Sequence, residues 1–119
     1  MIVRFESVKE LKTIEGFLRP MFVSEKILLM YCRVWKGLRV EPHSHESEGI
    51  LIVTKGRIRV LPEGIEIAPL DLCHVPPKKE VGLVAEDDSE LILISMGSKY
   101  KTLEEVFSVL SAFEVKNES

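Results

Sequence analysis

The chain has 119 residues, a formal net charge of −3 and 29% charged side chains. That length suffices for one domain with one core, and the composition is that of an ordinary globular protein. The acidic balance argues against nucleic acid as the main partner, since Lys78-Lys79 is an isolated basic pair, and no apolar stretch approaches the ~20 residues of a membrane-spanning helix.

The N-terminus carries acidic residues close in and no continuous apolar segment, so it does not read as a signal peptide. A cytoplasmic location is expected. Without a secretory signal, Cys32 and Cys73 read as small hydrophobes within apolar strand-like runs rather than as a disulfide. Glutamine is absent, Asn117 is the only asparagine, and Glu and Lys dominate the polar set, a balance that leans towards a thermophilic source.

In chain order, Ser7-Val-Lys-Glu10 has capping-box spacing and predicts a short helix running through Leu11 or Ile14, punctuated by Gly16 and Pro20. From Glu25 to about Met96 the pattern changes to strands. Ile27 to Trp35 is a long apolar run, and Leu38 to His45 follows the turn at Lys36-Gly37. Gly49 to Thr54 suits a strand buried on both faces, and Lys55-Gly56 turns it into the alternating segment Arg57 to Leu61. Ile65 to Ile67, Leu72 to Val75, Val81 to Ala85 and Leu91 to Met96 complete about eight strands, each bounded by turn signals. Such spacing predicts an all-β sandwich or small barrel rather than βαβ units.

The tail differs. Thr102-Leu-Glu-Glu105 is a capping box, and Leu103, Val106, Phe107 and Leu110 share one helical face, so an amphipathic helix is expected from about Leu103 to Phe113. It would cover the barrel or contribute to a dimer interface. Residues Lys116 to Ser119 are expected to fray.

The chemistry-bearing residues cluster in Gly37-Leu-Arg-Val-Glu-Pro-His43-Ser-His45, with Gly56 eleven residues beyond His45. Histidines at i and i+2 of an extended strand point to one side of the sheet, and two imidazoles on one face form half of a metal site.

Two motifs resemble those of the cupin superfamily. The first is a glycine, five residues, His-x-His, a carboxylate and a closing glycine; Gly37, His43, His45 and Gly56 fall in register with it. The second resembles Gly-Asp-x-x-x-Ile-Pro-Pro-Gly-x-Pro-His, matched here by Leu70-Asp71-Leu-Cys-His-Val75-Pro76-Pro77-Lys78-Lys79-Glu80-Val81. The resemblance covers roughly residues 27–96. It implies an all-β double-stranded β-helix, a jelly-roll barrel, spanning the whole chain as one domain. Such barrels are usually dimeric and hold metal and ligand inside.

Of the four metal-ligand positions that the resemblance implies, two are filled, by His43 and His45. Gly49 stands at the carboxylate position and Val81 at the final histidine. A catalytic metal site normally needs three protein ligands. The substitutes within reach in sequence are Glu48 and Glu80, each one residue out of register, His74, and, on the rim, Glu46. The candidate metal set is therefore His43, His45, Glu48 and His74. The ion would be zinc, iron, manganese, nickel or copper.

Three functions follow as expectations: a small-molecule binding or sensing module with a degenerate site; a metal-dependent dioxygenase, isomerase or lyase using a nonstandard third ligand; or a structural dimer with a filled barrel. A small-molecule ligand and a second copy of the chain are the expected partners.

Overall fold

Ten strands and one helix make up a computed structural model that describes residues 1–97 and 99–115. The strands are β1 (Leu11–Thr13), β2 (Gly16–Val23), β3 (Ile27–Val34), β4 (Arg39–His43), β5 (Glu48–Lys55), β6 (Ile58–Leu61), β7 (Ile65–Ile67), β8 (Leu72–Val75), β9 (Val81–Ala85) and β10 (Ser89–Met96). They form two antiparallel sheets, one ordered β1-β2-β3-β10-β5-β8 and the other β4-β9-β6-β7. This is the jelly-roll architecture that the resemblance implies.

The core lies between the sheets. On the larger sheet, Cys32 of β3, Leu91 of β10 and Val53 of β5 are adjacent in register and almost fully buried. Ile58 and Val60 of β6 and Ala85 of β9 face them from the smaller sheet. Alternation then fixes which side every other residue takes. Cys32 and Cys73 are both free thiols, and Cys73 packs against the same core.

The N-terminal segment departs from the expected helix. Phe5–Ser7 is a single 3-10 turn, and Leu11–Thr13 and Gly16–Val23 are a strand pair. Tertiary contacts override the capping-box signal here. Glu10 is drawn to Arg33 at 2.6 Å and to Arg19 at 3.3 Å, which pins the segment to β2 and β3. Phe5 stacks edge-on against Tyr31 at 4.9 Å, beneath the Arg19 guanidinium. The β1–β2 turn is tight because Gly16 takes φ +109° and lies against the Arg33 carbonyl, where a Cβ would collide. Thr13, fully buried, donates to the Gly16 carbonyl and accepts from the Glu15 amide.

The C-terminal helix α1 (Leu103–Ser111) forms as expected, with the Thr102 hydroxyl accepting from the Glu105 amide. The Glu105 carboxylate reaches back to the Lys101 amide at 3.2 Å. The helix packs on β1 and β2. Beyond it the chain returns to β1, where the Val115 amide donates to the Lys12 carbonyl at 2.7 Å and the Ile14 amide to the Phe113 carbonyl. The expected fraying at 116–119 lies outside the described residues.

Candidate functional site

His43 is the last residue of β4 and faces Val81, the first residue of β9. Between them and the Val40–Leu83 pair the register slips, so that Glu41 and Pro42 bulge over Gly82. Only glycine fits there, because a Cβ would collide with the Val40 carbonyl oxygen and the Pro42 nitrogen. The bulge brings His43 to one end of the barrel. Its Nδ1 lies 2.9 Å from the Glu41 carbonyl oxygen. A carbonyl only accepts, so Nδ1 is the donor in this contact and Nε2 is the nitrogen left for other partners.

His45 lies beyond the end of β4, so the pair is not held by strand alternation as the spacing suggested. The loop is held instead by the Lys78 amide, which donates to the His45 carbonyl at 2.7 Å. The two imidazoles nevertheless meet, with ring centroids 4.7 Å apart and planes at 75°. Partial burial, chiefly, and the neighbouring His43 and Lys99 hold the His45 pKa below its ordinary value of 6.5, against an opposing pull from Glu15. That shift favours the uncharged ring.

The two histidines border a cavity of about 180 Å³ between the sheets. Its wall is apolar, with Leu51, Val75, Val81, Leu83, Leu91 and Leu93 among its residues. Gly49 and Val81 line it too, so the two positions where the sequence lacks a metal ligand do face the interior, and they face it without a donor atom. A wider outer chamber of about 580 Å³ shares Glu15, His43, His45 and Ser47 with the inner one. It extends past Lys99 and Tyr100 to Val109, Leu110 and Phe113 at the C-terminal helix.

Glu48 and His74 do not join the pair. Glu48 opens β5 one residue before Gly49, and His74 sits opposite Ile50 on β8. Strict alternation turns both away from Leu51, Cys73 and the core. They meet each other instead, His74 Nε2 donating to Glu48 Oε2 at 2.6 Å, half-exposed on the outer face. Neither Glu46 nor Glu80 lines the cavity; both are exposed, outside the strands. Lys79 approaches Glu63 at 3.9 Å on the surface.

Glu15 is the carboxylate at the mouth that sequence reasoning missed. It belongs to the β1–β2 turn, in a segment whose capping-box spacing suggested a helix. Its one sequence signal was the adjacent Gly16, a turn marker.

The donor set does not complete a metal centre. Among the described residues, no three His, Cys, Asp or Glu side chains are grouped to hold an ion. The His pair offers two nitrogens, and the wall where further ligands would stand is apolar.

No family model matches the sequence, and no curated protein matches it significantly. Solved structures do match. An RmlC-like cupin from Shewanella frigidimarina superposes with a TM-score of 0.73 at 18% identity, over 79% of this chain and 87% of that one. KdgF from a Halomonas species gives a TM-score of 0.76 at 20% identity, over 83% and 96%. The polyketide cyclase RemF from Streptomyces resistomycificus gives 0.71 at 17% identity, over 82% and 80%. At these identities the likeness establishes a fold.

Proposed function

We propose that this cupin-fold barrel is a small-molecule binding or sensing module, with His43 and His45 as the polar contacts at the mouth of its cavity. One observation carries the reading. The inner chamber is open, apolar and bordered by the two imidazoles, while Gly49 and Val81 supply no further donor. A structural dimer would need no such space. Ligand pockets are typically apolar, with a few convergent polar groups that fix orientation.

A metal-dependent enzyme is the competing reading, and one of the similar folds is a cyclase. It requires a third ligand beside His43 and His45. Glu15 is the one carboxylate among the described residues that lines both chambers, and it belongs to no ligand cluster. Elemental analysis of protein purified without chelator from metal-replete cells separates the two. Less than about 0.2 divalent metal ions per chain is the expected result, since a three-ligand site retains its ion. Near-stoichiometric metal, lost in His43→Ala, would favour the enzyme.

A further inference from the structure

The two chambers differ in chemistry, and the difference specifies a ligand. The inner one, about 180 Å³, is close to the size of an apolar cavity that accepts benzene, about 150 Å³. It suits one ring with a small substituent. Its wall from Leu51 and Val75 across to Leu91 and Leu93 has no charged side chain, so the part of a ligand that enters is hydrocarbon.

Polar groups gather at the waist shared by both chambers: His43, His45, Ser47, Ser95 and Glu15. Lys99 lines the outer chamber just beyond. The waist therefore faces one carboxylate and one ammonium of opposite sign. A carboxylate head placed there would be drawn to Lys99 and repelled by Glu15, and an ammonium head the reverse, so neither sign is matched by the whole waist. A hydroxyl depends on neither charge. It can donate to the Glu15 carboxylate or to a ring nitrogen, and accept from an imidazole N–H.

We infer that the ligand is a compact uncharged molecule of this kind: a ring-sized apolar body in the inner chamber, with a single hydroxyl head between His43, His45 and Glu15. This rests on the small-molecule reading and narrows it to phenols and cyclic alcohols.

Four probes of matched shape test it by calorimetry at pH 7: p-cresol, toluene, p-toluate and 4-methylbenzylamine. The expected result is p-cresol binding about tenfold or more tighter than each of the others. Toluene binding as tightly as p-cresol overturns the head-group assignment. Either charged probe binding as tightly overturns the neutral class; in both cases the pocket reading stands. Binding by none of the four overturns the inference and leaves the small-molecule reading to the metal analysis above. Val81→Phe, which fills the inner chamber, should abolish p-cresol binding, with cooperative thermal unfolding as the check on folding. Leu93→Phe from the opposite sheet serves if Val81→Phe does not fold. Undiminished binding in a folded filled variant overturns the placement.

Discussion

His74 donates a 2.6 Å hydrogen bond to Glu48 on the outer face of the large sheet, the side away from His43 and His45. The two residues are diagonal neighbours across β5 and β8, a common cross-strand arrangement. Their side chains are 52% and 43% exposed, so the pair contributes little. Glu48→Ala with His74→Ala should cost less than about 0.5 kcal/mol in urea unfolding and leave both ligand and metal binding unchanged. Loss of ligand binding in this double variant would bring the outer pair into the site after all.

The inward positions Gly49 and Val81 allow the opposite experiment. Val81 faces His43 directly across β4 and β9. A Cβ at Gly49 would meet the Ile94 carbonyl oxygen at 3.5 Å, an ordinary contact, so a side chain fits there. Gly49→Glu with Val81→His adds the two missing donors to the existing pair. Zinc affinity, measured by competition with a chromogenic chelator, should rise on the order of a hundredfold or more over the parent chain. No gain in a folded variant would mean that these positions do not converge with the histidines.

Two motif positions that are glycine in the resembling family are Leu70 and Lys78 here, and both retain the left-handed backbone, with φ of 74° and 68°. The turn at Leu70 is fixed by its own amide donating to Val53 and by Asp71 Oδ2 accepting from the Ala68 amide. The Leu70 side chain is 83% exposed and packs on little, and Lys78 is also exposed. Leu70→Gly and Lys78→Gly should each relieve strain and raise stability by about 0.5–1 kcal/mol, read as a higher thermal midpoint. A lower midpoint in both would contradict the strain.

Acid sensitivity should centre on Glu10. The hydrogen bond from Arg33, with further help from its charge and from Arg19, holds the Glu10 carboxyl below its ordinary value of 4.5 despite the opposing effect of burial. A carboxylate depressed on folding stabilises fully above that ordinary value, and its contribution fades as pH falls through the lowered one. Glu10→Gln should therefore cost about 1–2 kcal/mol at pH 7, with variant and parent converging in strong acid. An equal gap at pH 7 and in strong acid would show that the cost is packing rather than charge.

The barrel was legible because alternation and turn residues mark it directly: Gly56 between β5 and β6, Pro62-Glu63-Gly64 between β6 and β7, Thr102 at the helix start. The first two strands were not. Ser7 to Glu10 carries a helix-start pattern, and what overrides it is Glu10 meeting Arg19 and Arg33, residues 9 and 23 positions away. The same long-range contact hid Glu15. The histidine pair was found by spacing, yet His45 reaches His43 through a loop tied to Lys78, which no period of two describes. Parity made Glu48 difficult as an inward ligand but left the facing of His74 open; their mutual bond was not visible in sequence.

The central claim, that the space behind His43 and His45 receives a small apolar body without a metal, is tested most directly by methyl-resolved NMR of chelator-treated protein titrated with p-cresol. The account predicts saturable shifts at Leu51, Val75, Val81 and Leu91, which line the inner chamber, and none at exposed Leu72. Inner-chamber methyls that stay unmoved, or that respond only once a divalent ion is restored, would contradict it.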